Sequence, residues 1–140
     1  MRRASFRWKP RGEAKKRYKV KVGEYSTGRA KYGYKCVACE EVFKSGEVKM
    51  DHVEPVVPLT GWESLDNFAI RMFCEEDNFQ CLCPACHDIK TQREKDYRVA
   101  FRKLEQDTDE YIALEKEANE FILAYIEENN KYIQEHKDIK

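Results

Sequence analysis

Between residues 47 and 53 the chain reads "EVKMDHV", apolar and polar positions alternating. That period puts Val48 and Met50 on one side of a strand, with His52 at its end on the same side, and Lys49 and Asp51 on the other. "KSG" just before it is turn chemistry, so a hairpin is expected, with 41–44 as the first strand and 47–53 as the return. Pro55 and Pro58 end regular pairing. Beyond them, Thr60 and Glu63 have the spacing of a capping box. Trp62, Leu65, Phe68, Ala69, Met72 and Phe73 then recur at three-and-four spacing, which predicts a helix over 62–73 with a buried stripe. "CEEDNFQCLC" reads as loop and a short extended piece. Pro84 suits the first position of a helix, where its missing N–H is not needed. That helix should run to about 104, with Tyr97, Ala100, Phe101 and Leu104 along one side. "QDTDE" is a break. A last helix from about 109 carries Tyr111, Leu114, Ala118, Phe121 and Tyr125, flanked by Ile112, Ile122, Ile126 and Ile133. It is expected to fold back on its neighbour or to form a homodimer contact, its acidic outer face being solvated.

A chain of 140 residues suits one domain with appendages. Nothing approaches the roughly 20 apolar residues that span a bilayer, and the N-terminus lacks the apolar segment of a signal peptide. A soluble, cytoplasmic protein without membrane contact is expected. Net charge is zero, but it is unevenly spread: residues 1–35 hold thirteen Lys or Arg against Glu13 and Glu24, a surplus of eleven that the rest of the chain cancels. Phe6, Trp8, Tyr18, Tyr25, Tyr32 and Tyr34 are interleaved with these cations. Such a basic, aromatic arm suits a polyanion, because cations displace counterions from phosphates and rings stack on bases. The plainer reading is a disordered solubilising tail.

Six cysteines in a reducing compartment point to metal ligands or buried thiols rather than disulfides. "CVAC" and "CPAC" place Cys36, Cys39, Cys83 and Cys86 in two CxxC pairs, with 43 residues between Cys39 and Cys83. Two such turns can surround one zinc ion tetrahedrally. The metal would clamp the start of the hairpin to the start of the following helix. Cys74 and Cys81 lack partners at metal spacing and read as core thiols. Four thiolates leave such a zinc no open position for chemistry, so His87 is spare.

"MDHVEPVVP", then "EEDNFQCLCPACHDIKT", following "CVAC", resemble the HNH endonuclease family over residues 36–91. The resemblance implies an α+β protein with a ββα-metal core stapled by a four-cysteine zinc site, carrying a basic N-terminal arm and C-terminal helices. It implies His52 as general base and Asp51 and His87 as ligands of a catalytic divalent ion, Mg²⁺ or Mn²⁺. Asn78 would orient the base or complete the metal shell; Asn67 is a rival, but lies inside the expected helix. The residue types also suit the chemistry directly. Phosphodiester hydrolysis needs a water stripped of its proton and an anionic phosphorus centre stabilised. An imidazole near neutrality can take that proton. Lys90 or Thr91, a turn past His87, could reach phosphate, although an exposed helix lysine is the simpler reading of Lys90. Glu54, Glu75, Glu76 and Asp77 read as surface carboxylates.

Three segments follow: a basic DNA-binding arm (1–35), a nuclease core with an inserted helix (36–91, helix 62–73) and a helical extension (92–140). The leading expectation is a metal-dependent DNA endonuclease of phage or mobile-element type, nicking or cutting both strands, its partners being DNA and phage packaging or replication proteins. The alternatives are a non-catalytic, zinc-stabilised DNA-binding accessory module of the same fold, and a restriction-type nuclease, for which no separate recognition domain is evident.

Overall fold

The computed structural model describes residues 2–137. Met1 and residues 138–140, the outer ends of the first and last expected segments, lie outside the described residues. The chain is mixed α and β, with two small sheets and five α-helices among the described residues.

The N-terminal segment is folded rather than tail-like. Helices α1 (Arg2–Phe6) and α2 (Lys9–Lys16) lead into strands β1 (Lys19–Glu24) and β2 (Ala30–Lys35), which pair antiparallel with a bulge between Lys21 and Gly23. Ala14 and Tyr18 are fully buried in a core shared with Met50, Phe79, Cys81 and Leu82. Trp8 donates its indole N–H to the Cys74 carbonyl (2.7 Å), and Arg17 pairs with Glu76 (2.7 Å). This segment therefore belongs to the body of the molecule, and its hairpin is the part that stands out into solvent, β1 being mostly exposed.

The expected hairpin of 41–44 with 47–53 does not form. Its turn closes, through the Glu47 N–H and the Lys44 carbonyl (3.0 Å), but the flanking strands leave for different sheets. β3 (Val42–Phe43) extends the first sheet beside β2, in the order β1-β2-β3. β4 (Lys49–His52) pairs antiparallel with β5 (Phe79–Leu82), matching Met50 with Cys81, Asp51 with Gln80 and His52 with Phe79. Burial explains the choice. All four β5 residues are buried, so pairing there covers β4's apolar side as well as satisfying its backbone, whereas Val42 remains 43% exposed.

Between β4 and β5 lies α3 (Leu65–Met72), shorter than 62–73. Its cap is Ser64, whose hydroxyl accepts the Asn67 N–H (3.1 Å), and not the expected Thr60–Glu63 pair. Its apolar stripe is only partly covered: Met72 is buried, but Trp62 and Leu65 are 58% and 61% exposed. A short 3-10 turn, Glu76–Asn78, delivers the chain into β5.

α4 (Pro84–Arg102) follows β5 directly, with Cys83 as its N-cap and proline in its first turn, as expected. α5 (Asp109–Glu135), capped by Thr108, folds back on it. Tyr97, Phe101, Ala118, Phe121 and Leu59 form a second core cluster between the two helices. Farther along α5, Asn129 and Tyr132 reach the first core. Tyr18 donates to Asn129 Oδ1, Asn129 Nδ2 donates to the Phe79 carbonyl (3.0 Å), and the Tyr132 hydroxyl donates to the Arg17 carbonyl (3.0 Å). Tyr18 and Tyr132 stack at 4.7 Å. The last helix thus ties the first segment to the central strands. Among the described residues, no helix is long and apolar enough to cross a membrane.

Candidate functional site

The first knuckle, between β2 and β3, docks on β5 through the Val37 N–H and the Cys81 carbonyl (3.0 Å). That places it beside the N-terminus of α4. The ligand atoms of Cys36, Cys39, Cys83 and Cys86 all lie within 4.8 Å of one another. Zinc–sulfur bonds of about 2.3 Å in a tetrahedron set sulfurs about 3.8 Å apart, and Cys39 Sγ and Cys83 Sγ are separated by 3.9 Å. Burial opposes ionisation of Cys36, but N–H groups of Cys39, Cys83 and Ala38 outweigh it and hold the thiol below its usual range. The four cysteines are thus positioned to hold one metal ion, and their donor set fits zinc. Cys81 is a buried core thiol as expected, pushed up to about 12 chiefly by burial.

A second polar cluster lies where β4 and β5 meet α4. Asp51 and Gln80 are cross-strand partners, and Gln80 Nε2 donates to Asp51 Oδ2 (3.1 Å). His87, Lys90 and Glu94 follow one another along α4 at three-and-four spacing, which sets them on one face. Asp51 Oδ1 stands 3.7 Å from His87 Nε2, while Oδ2 stands 3.0 Å from Lys90 Nζ. Lys90 also donates to the His52 carbonyl (3.1 Å) and to Glu94 Oε1. Far from being an exposed helix lysine, Lys90 is 1% exposed.

His52 leaves β4 on the opposite side from Asp51, as strand alternation requires. Its ring packs on Phe79 (4.8 Å between centroids), and its Nε2 lies 3.0 Å from the Met72 carbonyl. A carbonyl only accepts, so Nε2 carries the proton and Nδ1 keeps its lone pair. Burial lowers the His52 pKa below its ordinary 6.5, against the upward pull of the Met72 carbonyl and Asp51. Burial thus favours the neutral ring.

The hydrogen bonds of the Asn78 side chain go to the chain around Glu54 and to Cys74 Sγ (3.6 Å) rather than to the ring of His52 or His87. Its Oδ1 accepts the Glu54 N–H (2.9 Å), its Nδ2 points to the Glu54 carbonyl (3.4 Å), and its own carbonyl accepts the Val53 N–H (2.9 Å). It braces the chain immediately after His52. Asn67 is exposed and donates to Glu63 (2.7 Å), away from this cluster. Among the described residues, the cluster's hydrogen bonding runs through Lys90 and Glu94 rather than through Thr91.

Two clefts open over the cluster. One, of about 540 Å³, is lined by Asp51, His52, Glu94, Arg98, Phe6 and Arg11 among others. The other, of about 570 Å³, is lined by His87, Lys15, Lys49, Phe6 and Arg11 among others. Arg11 and Phe6, from the basic first segment, border both, with the Arg11 guanidinium 4.8 Å above the Phe6 ring. In the sequence Arg11 reads as part of a remote arm, and Glu94 and Arg98 do not stand out from other helix charges. Gln80 does carry a signal, since a polar residue in an otherwise apolar buried strand calls for a buried partner.

A stretch of 60 residues, 43% of this chain, is 40% identical to a protein of Lactococcus phage SK1 described as a probable HNH endonuclease. The match spans 56% of that protein's length, so the comparison concerns about half of the relative. No family model matches the chain, and no solved structure matches it. Over that stretch, this chain is similar to a phage protein of the HNH endonuclease type.

Proposed function

We propose that the protein is a metal-dependent DNA endonuclease with a ββα-metal core formed by β4, β5 and α4. The observation that carries this reading is the approach of Asp51 Oδ1 to His87 Nε2, with Asp51 sharing a cleft with His52, whose Nε2 faces the Met72 carbonyl and leaves Nδ1 as the ring's acceptor. Partial similarity to the phage protein supports the same class. In this reading His52 Nδ1 takes a proton from the attacking water as its oxygen bonds to phosphorus. The bond from phosphorus to the leaving sugar oxygen breaks, and that oxygen is protonated from solvent.

Asp51 Oδ1 and His87 Nε2, 3.7 Å apart, are close enough for one ion with bonds of about 2.1 Å to contact both. Asp51 and His87 would hold Mg²⁺ or Mn²⁺ there, and the bound ion would supply positive charge against the anionic phosphate. Asn78 holds the His52 loop in place. Arg11 and Arg98, at the cleft walls, are placed to meet phosphate oxygens, and guanidinium forks suit that contact. The basic first segment, with its exposed Lys19, Lys21 and Lys31, carries the duplex, and the cysteine-held zinc keeps the two halves of the core together.

Conversion of supercoiled plasmid tests the reading, with Mg²⁺, Mn²⁺ or EDTA, for wild type beside His52→Ala. Wild type is expected to give nicked or linear product only with the ion, and the variant to lose at least about 100-fold in rate while still binding DNA. If neither protein cuts under any ion while both bind DNA and hold zinc, the non-catalytic accessory module replaces this reading.

A further inference from the structure

A buried lysine is costly unless its charge is paired and its donors are used. Lys90 meets both conditions, through Asp51 Oδ2, the His52 carbonyl and Glu94 Oε1, with the Tyr125 ring 5.4 Å away on the side of α5. The consequence falls on Asp51. Its Oδ2 receives both Lys90 (3.0 Å) and Gln80 (3.1 Å), whereas its Oδ1 faces His87. The two oxygens of one carboxylate are thus given different tasks.

Resting on the metal-dependent reading above, we infer that Lys90, braced by Glu94 and helped by Gln80, is a positioning residue that fixes Asp51 so that a single oxygen is presented to the divalent ion. Glu94 is part of the device. A lone ammonium beside Asp51 would repel a cation, and the Glu94 carboxylate set against Lys90 offsets that repulsion. Without the clamp, the carboxylate turns freely or offers both oxygens, and the ion must order it on binding.

This arrangement separates from a simple charge effect. Removing Lys90 alone strips a positive charge from the site, which on electrostatics alone strengthens cation binding; loss of positioning weakens it. The double variant Lys90→Met/Glu94→Gln removes the clamp while leaving the net charge unchanged. Gln80→Met removes only the second bond to Oδ2.

The experiment is a Mn²⁺ titration followed by electron paramagnetic resonance on the full, zinc-loaded chain, with zinc content and melting temperature measured alongside. The double variant is expected to raise the Mn²⁺ dissociation constant about tenfold or more, as loss of groups orienting a ligand does. Gln80→Met is expected to raise it about threefold, one bond of the two being lost. A double variant that folds, holds zinc and binds Mn²⁺ as wild type does would overturn the positioning role while leaving the metal site standing. Should the double variant fail to fold, Gln80→Met decides, and unchanged affinity there overturns the role. If wild type itself binds no Mn²⁺, the metal-dependent reading fails and takes this inference with it.

Discussion

On the proposed nuclease reading, Arg11 links substrate and site. It lies on α2, yet it borders both clefts over Asp51, His52 and His87, where burial lowers its pKa against the upward pull of Asp51. An arginine there can exchange its attraction to Asp51 for a phosphate oxygen when DNA arrives. Within the protein its guanidinium packs on the exposed Phe6 ring (4.8 Å), a contact of modest worth. Arg11→Ala is therefore expected to slow cleavage by about 10- to 100-fold, the worth of a hydrogen bond to a charged group, with melting temperature almost unchanged. Single-turnover cleavage at saturating protein reads the effect. A variant that cuts at the wild-type rate would place phosphate recognition elsewhere. Lys90 illustrates the opposite limit of legibility. From sequence, Lys90 and Glu94 are an ordinary i,i+4 surface pair; burial beneath α5 and β4 makes them part of the site.

Among the elements, α3 combines local capping with partial burial, Met72 lying in the core and its carbonyl meeting His52. Ser64 accepts the Asn67 N–H, and the helix buries Met72 but leaves Leu65 and Ile70 exposed. Thr60 and Glu63 have the right spacing for a capping box, yet the chain turns at Pro58–Gly61 and starts the helix later. Ser64→Ala should consequently cost about 1 kcal/mol, as loss of an N-cap does, and Thr60→Ala well under half of that. Urea unfolding of both variants measures the difference, and the reverse order of effects would restore the earlier helix start. The strands show a similar limit. The alternation in "EVKMDHV" indicates a strand, which spans Lys49–His52 rather than the whole of 47–53, but says nothing about its partner, which lies on the far side of α3 at Phe79–Leu82.

The whole molecule depends on two joints. One is the cysteine cluster, joining the knuckle after β2 to the start of α4. The other is Tyr18 with Asn129 and Phe79, joining the first segment, the last helix and β5. Structural zinc contributes about 10–16 kcal/mol in small metal-dependent domains, comparable with the whole stability of a domain this size. Cys83→Ala removes a ligand and the N-cap of α4 together. It is expected to lose stoichiometric zinc and to unfold cooperatively at ambient temperature, as metal analysis and circular dichroism would show. Retention of one zinc per chain with an unshifted melt would sink the clamp. Because Ala14 and Tyr18 lie in the core, the first segment supports the site as well as supplying positive charge.

Cysteine spacing, the proline at the head of α4, the amphipathic last helix and the Asp-His pair at a strand end are all readable in the chain. Each is a local signal, set by residues within a few positions of one another, and local backbone geometry enforces it. The pairing of β4 with β5, the meeting of Asp51 with His87, the burial of Lys90 and the arrival of Arg11 over the clefts are not. Those contacts join residues tens of positions apart, and the tie from Tyr132 back to Arg17 spans 115. They exist because burying the apolar sides of β5, α4 and α5 together leaves one compact solution, and periodicity along the chain carries no record of which faces meet.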